Sequence, residues 1–391
     1  MRRQAAEGGW DEAFSRAYSH TAPRVRAVLE RHPELARLAG EVRRAREEVV
    51  RNLDRYVEEF GRSVERVGGR FYLAETAEEA RETAARIVGR GKVVVLGKNN
   101  VAIETGLRQR LEEEGNEVWE TDLGEFLVQL SGGEPSHIIA PAIHMTREAA
   151  ADLLRRRLGA AVPPEPAAIA QRAREFLREK ILKADVGITG ANALAADTGA
   201  VVLVENEGNI RLVSTAPPVH IVYDGVEKIV PTLLHAFMAA AVQAAYAGLY
   251  PPTYINMSAG PSSTADVENQ RVSPAQGPRE FHVVLVDNGR RRAARDPVLW
   301  EALLCVRCGR CHFHCPVYRA LGREFGVPPY TGPMGVMWTA VTRGLDAAGP
   351  HALKCAHAGN CKEVCPMGID IPKVIHEIRA RYLKREVGPS R

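Results

Sequence analysis

From the start of the chain to about residue 70, apolar positions recur at near-helical steps. Val25, Val28 and Leu29 are followed by Leu35, Leu38 and Val42, and the stripe continues through Val49, Leu53, Val57 and Phe60. Charged residues fill the positions between, which predicts amphipathic helices that lay one face on the rest of the molecule. Beyond residue 70 the period changes. Lys92–Gly97 (KVVVLG), Glu117–Glu120, Val186–Thr189, Val201–Glu205, His220–Tyr223 and His282–Val286 read as short β-branched strands, with helices over Ala77–Val88 and 101–114. This alternation predicts an α/β layer fold with a largely parallel sheet. The stretches Ala161–Ala168 and Gly248–Pro278 read as loops, the second long enough to be functional or a contact surface. After a turn at 287–290 the strands stop, and residues 296–391 read as helices joined by Gly/Pro turns. Three segments follow: an N-terminal helical arm over 1–70, an α/β domain over 71–290 and an all-α domain over 291–391.

Composition adds limits. A hydrophobic fraction of 45%, a charged fraction of 26% and a net charge of +4 spread among both signs describe an ordinary globular protein without a nucleic-acid footprint. No run approaches the roughly 20 apolar residues of a transmembrane segment. The nearest, Leu233–Leu249, is broken by His235, Gln243 and Gly248 and reads as a buried helix. The N-terminal residues lack the apolar core of a signal peptide.

Cysteine changes the picture most. None occurs in the first 304 residues, and all seven fall between 305 and 365. An odd, clustered set points to a metal centre in a reducing compartment, hence a cytoplasmic location, and not to a disulfide framework. The run Cys305-x2-Cys308-x2-Cys311-x3-Cys315-Pro316 has the spacing of a bacterial ferredoxin site, in which the fourth cysteine serves the other cluster. The second run, Cys355-x5-Cys361-x3-Cys365-Pro366, ends the same way but has Ala358 where a further cysteine is expected. With crossing over, Cys305, Cys308, Cys311 and Cys365 hold a [4Fe–4S] cluster, and Cys315, Cys355 and Cys361 remain. The second centre is then [3Fe–4S], or a [4Fe–4S] whose odd iron has an open site or a non-cysteine ligand such as His357.

This C-terminal region resembles the helical ferredoxin modules of succinate dehydrogenase iron–sulfur subunits, which share the C-x5-C-x3-C-P run; the likeness implies [3Fe–4S] for the second centre. In the central region, Thr121–Gln129 (TDLGEFLVQ), Ser136–His144 (SHIIAPAIH), Ala184–Gly190 (ADVGITG), Asp197–Asn209 (DTGAVVLVENEGN), Pro217–Ile221 (PPVHI) and Val283–Asn288 (VVLVDN) form a set of blocks. By these blocks the region resembles the LUD domain of the lactate-utilisation protein B family. Where that family shows a Lys-Ser-Lys-Ser block, this chain has Gly97-Lys98-Asn99-Asn100. The resemblance implies a fold of the ribose-phosphate isomerase and CoA-transferase group. It also implies a role as an iron–sulfur subunit in L-lactate oxidation, with a cysteine-rich CCG-domain subunit and a second LUD subunit as partners.

Candidate substrate residues come from polar groups at strand ends, where α/β folds place ligands. Glu205, Asn206 and Glu207 follow the strand VVLV. His137 and His144 flank an apolar stretch downstream of Asp122 and Glu125. A histidine serves as general base toward a hydroxyl, Lys98 pairs with a substrate carboxylate, and Glu205 is a further catalytic candidate; scaffold roles are the plain alternative. A metal on His137, His144 and Glu125 is a further option. No G-x-G-x-x-G or P-loop is present, so NAD and ATP are not expected, whereas flavin stays open. The expected function is passage of electrons from a small 2-hydroxy acid through two clusters to a partner. Alternatives are an electron carrier of a quinone- or disulfide-reducing complex that uses the α/β domain as a docking platform, and an isomerase- or transferase-like enzyme with structural clusters.

Overall fold

The computed structural model describes residues 9–159 and 161–387; the ends of the first and third segments lie outside these. Three helices open the chain: α1 (Trp10–Arg31), α2 (Glu34–Arg51) and α3 (Leu53–Arg66). Their apolar stripe is buried, including Val25, Leu35, Val42, Val49, Val57 and Phe60.

A six-stranded sheet follows. β1 (Arg70–Ala74), β2 (Val93–Leu96), β3 (Glu117–Glu120), β4 (Val186–Thr189), β7 (Val219–Gly225) and β10 (Glu280–Val286) lie in the order β1-β10-β7-β4-β2-β3, every pair parallel. A second sheet of β5 (Ala193–Ala195), β6 (Val201–Glu205), β8 (Ile229–Val230) and β9 (Tyr254–Ser258) has the order β8-β5-β6-β9 and mixed pairing. The helix Leu233–Tyr246 covers it with a buried alanine-rich face.

Several expectations shift. The helix over 101–114 is two, Asn100–Thr105 and Leu107–Glu113, because Gly106 takes a left-handed turn at φ +72° between them. The loop at Ala161–Ala168 is cut short at Pro166, which starts a helix to Leu182 as proline does at a first helical position. The stretch Gly248–Pro278 contains β9. The C-terminal segment is helical except for a small hairpin, Gly326–Val327 against Tyr330–Thr331.

The N-terminal helices bind the parts together. One continuous core joins Trp10, Phe14, Leu35 and Val42 to residues of the second sheet, the helix Leu233–Tyr246 and the cysteine-bearing segment. Arg46 is fully enclosed and donates to the carbonyls of Leu304 (3.1 Å) and Leu303 (2.7 Å), fixing the turn that leads into Cys305. Among the described residues no helix is long and apolar enough to cross a membrane.

Candidate functional site

The seven cysteines are free thiols, four of them buried. They fall into two neighbourhoods. Burial pushes Cys308 up to about 12, with Cys305 and Cys365 adding to the rise; Cys311 is raised by burial and by Cys305, Cys308, Cys361 and Cys365. Burial likewise takes Cys361 to about 12, with Cys315 and Cys355 adding to the rise, and Cys315 to about 11, with Cys355 adding to it. The structure thus brings Cys305, Cys308, Cys311 and Cys365 together, sets Cys315, Cys355 and Cys361 beside them, and lets Cys311 and Cys361 link the two. Thiols held neutral by burial become thiolates only with a cationic partner, so this donor set fits iron. The backbone N–H of Arg307 already donates to Cys305 Sγ (3.3 Å), and that of Tyr318 to Cys315 Sγ (3.4 Å).

A cleft over the second group is lined by Cys315, Cys355, Cys361, His357 and Ala358. His357 has φ +54°, and its Nε2 is enclosed without a hydrogen-bond partner. The position of the missing cysteine is therefore next to an unused imidazole.

A second cleft, of about 350 Å³, opens at the C-terminal ends of β2, β4, β6 and β7. Lys98 and Asn99 reach it from β2, Asp224 from β7, and Glu205 to Glu207 from β6. Local sequence explains their poses. Asn99 caps the helix that follows, accepting from the N–H groups of Val101 (2.9 Å) and Ala102 (3.0 Å), and Asp122 caps Leu123–Ser131 in the same way. Lys98 Nζ donates to the Ile139 carbonyl (2.6 Å) and lies 3.6 Å from Asp122. Glu205 Oε1 accepts from Arg211 N (3.0 Å) and Asn256 Nδ2 (2.7 Å). Glu207 accepts from Leu123 N (3.1 Å), and burial, then the charge of Asp122, raises it to about 7.

The cysteine run itself supplies a wall of this cleft through Arg307. Arg307 pairs with Glu227 and lies 3.8 Å from Asp224, while its guanidinium sits over Trp338 (4.5 Å). Arg290 ties Glu227 to Glu104 behind it. Buried Lys228 lines the cleft too. Sequence reading passed over Arg307, Asp224 and Lys228, although the strand-end rule applied to β6 also flags the charged run Asp224–Lys228 after β7.

His137 and His144 do not line this cleft. His137 is enclosed, its Nδ1 accepting from Ile139 N and Ala140 N (both 3.2 Å), and its ring lies 4.6 Å from His312 and 4.7 Å from Phe313. His144 Nδ1 meets Ser136 Oγ at 2.9 Å. The block Ser136–His144 thus forms the seam between the α/β part and the first cysteine run; Tyr318 and Thr331 donate to the Ser136 carbonyl across it. At Gly309 (φ +75°) a Cβ would stand 2.7 Å from His137 Cε1, so the seam requires glycine there. Glu125 faces a different cavity, beside Glu120 and Arg108, and burial raises it to about 7. Among the described residues no three His, Cys, Asp or Glu side chains converge on a single-ion position, including His137, His144 and Glu125. A cluster differs in spreading its thiolates around a multi-atom body.

Comparison with known proteins agrees with this division of labour. Residues 57–286 match the LUD domain family, and residues 301–369 match the 4Fe-4S dicluster domain. A "Lactate utilization protein B" of Bacillus licheniformis is 36% identical over 98% of this chain and 80% of its own length. The chain belongs to the lactate utilization protein B family. Another member, from Bacillus subtilis, is 36% identical over 87% of this chain and 70% of its own. The "Uncharacterized electron transport protein YkgF" of Escherichia coli is 36% identical over 88% and 70%. A DUF162 family protein from Deinococcus radiodurans, known from its crystal structure, aligns over 60% of this chain with 15% identity and a TM-score of 0.32, too loose to add to the assignment. As a family member with a dicluster domain, the chain is an iron–sulfur protein with a role in lactate utilisation.

Proposed function

We propose that this chain is a redox subunit through which electrons removed from a small 2-hydroxy acid, L-lactate first, pass to a partner or acceptor. The observation that carries this reading is the shared residue Arg307. It lies between two cysteines of the first run and also walls the strand-end cleft.

Cys305, Cys308, Cys311 and Cys365 would hold a [4Fe–4S] cluster. Cys315, Cys355 and Cys361 would hold the second, as [3Fe–4S] or as [4Fe–4S] completed near Ala358 by His357 or an open site. Bound clusters supply one-electron transfer. The chain's own groups prepare for it: Arg46 tethers the first run, and two backbone N–H groups point at thiol sulfurs. On the substrate side, Glu205 accepts the hydroxyl proton and Lys98, neutralised by Asp122, orders the cleft mouth. His137 and His144 act by positioning the seam. Partner subunits, including the cysteine-rich CCG-domain and second LUD subunits that the family likeness implies, complete the route, and the domain limits near residues 70 and 290 follow the same division.

The test is anaerobic addition of L-lactate to the cluster-loaded protein, alone and with neighbouring gene products, while visible absorbance is followed. Bleaching supports the reading. Loaded clusters that L-lactate never bleaches in any combination sink it and leave the carrier of a quinone- or disulfide-reducing complex.

A further inference from the structure

The two thiol groups differ in what surrounds them. The first lies against enclosed side chains, with Arg46 and Arg307 beside Cys305, and Tyr246 beside Cys308 and Cys365. The second lies under the cleft that Cys315, Cys355 and Cys361 share with the loop between the last two of them. Ala356, Ala358 and Asn360 of that loop line the cleft and are also exposed. Leu353, just before the loop, is 47% exposed, and Pro316, next to Cys315, is exposed too. A small, mostly apolar surface thus lies over the second group of thiols.

Its rim is basic. Lys354 precedes Cys355, Lys362 follows Cys361, and exposed Lys373 follows Pro372 of the cleft wall. Arg379 donates to the carbonyls of Ala352 (2.8 Å) and Cys355 (2.6 Å), and Lys354 donates to that of Glu324 (2.8 Å). Two carboxylates stand against these four cations: Asp370, which is spent on Lys362 (2.7 Å), and exposed Glu363. Arg323 and Glu324, next to Lys354, add one charge of each sign. An apolar centre with surplus positive charge around it steers a negatively charged partner into contact.

We propose that electrons leave the chain from the second centre, across the exposed loop at 356–358, to an acidic one-electron carrier protein that docks on this basic rim. Each reduced cluster gives up one electron, which reduces one oxidised centre of the carrier. Entry lies on the other side, because Arg307 joins the first cysteine run to the strand-end cleft. The path then runs from the cleft to the first centre, the second centre and the surface. Electron-transfer encounters bury little area, which suits a patch of this size. The inference deepens the redox reading by naming the exit and its partner, and it rests on that reading for the two bound clusters.

Stopped-flow mixing tests it. The cluster-loaded protein is reduced with dithionite, freed of excess reductant and mixed with oxidised rubredoxin (an acidic carrier), oxidised cytochrome c (a basic one) or a water-soluble quinone. Rubredoxin should be reduced faster than cytochrome c at low salt, and its rate should fall about tenfold as salt screens the attraction. Lys362→Glu and Lys373→Glu should each slow rubredoxin about threefold or more and speed cytochrome c. Lys183→Glu makes the same charge change just before β4, at the end of the sheet opposite the cleft, and should leave both rates unchanged. Iron content and EPR are matched across the variants, so that lost clusters are not read as lost docking. A rubredoxin rate that ignores salt, wild-type rates in both rim variants, or an equal effect of Lys183→Glu overturns the proposal. So does reduction of the quinone with neither protein reduced. Dithionite supplies the electrons, so failure here leaves the L-lactate reading standing, and failure of L-lactate to bleach the clusters leaves this exit standing.

Discussion

Burial holds the Lys228 ammonium down to about 8, against 10.5 for a free lysine; Asp224 and Glu227 oppose the fall, and Arg307 and Arg46 add to it. At about 1.4 kcal/mol for each pKa unit, carrying this charge into the fold costs about 3 kcal/mol relative to a neutral side chain. The unfolded chain keeps the proton up to about 10.5 and the folded chain releases it near 8. The unfolded state therefore binds more protons between those values, and wild-type stability rises with pH across that window. Lys228→Met removes the charge and keeps most of the volume. It should be more stable than wild type by about 2–3 kcal/mol below pH 8, with the gap closing toward pH 10.5. Denaturant unfolding of the cluster-loaded protein, followed by tryptophan fluorescence at both ends of that window, measures this. A variant less stable than wild type at neutral pH, or a gap that ignores pH, would refute the picture of a charge kept in the cleft against stability.

Glu227 is enclosed between Arg290 and Arg307, which outweigh burial and hold it near 2. Glu227→Gln should cost about 3–5 kcal/mol by stranding buried guanidinium charge. The loss should shrink as pH falls from about 4.5 toward 2, where wild type also loses the interaction; pH-dependent unfolding checks both parts. Gly309→Ala should destabilise the seam by about 1–3 kcal/mol, because alanine resists a positive φ and its methyl meets His137; hydrogen exchange across Ser136–His144 should speed up. Cys365→Ser should deplete the four-thiol centre and Cys355→Ser the other, as read by iron analysis and EPR. Loss of the same centre in both would overturn the partition.

The parallel sheet was legible because β2, β4, β7 and β10 are β-branched runs that can hardly be anything else, and β6 of the second sheet was legible for the same reason. β5 was not, since Ala193–Ala195 has no strand propensity and depends on its neighbours. β9 hid in a stretch of Pro, Ser and Gly because its side chains are only half-buried. In the site, local spacing revealed the thiols, and strand-end position revealed Lys98 and Glu205, which do line the cleft. Asp224 and Lys228 stand at the end of β7, where the strand-end rule reaches them, whereas Arg307 owes its place to buried ion pairs that join the cysteine run to β7, which no local pattern announces. His137 shows the opposite case: its sequence neighbours suggest a cleft, and tertiary packing puts it on His312.

The central claim is that one chain carries two one-electron centres of unequal ligand number. A reductive titration of the purified, oxidised protein followed by low-temperature EPR tests it most directly. The account predicts two electrons taken up per chain at two distinct centres, one of them a [4Fe–4S] whose signal appears only on reduction; a signal in the oxidised state identifies the other as [3Fe–4S], and its absence identifies a [4Fe–4S] completed near Ala358. A protein without acid-labile sulfide, or one that accepts a single electron at a single centre, would contradict it.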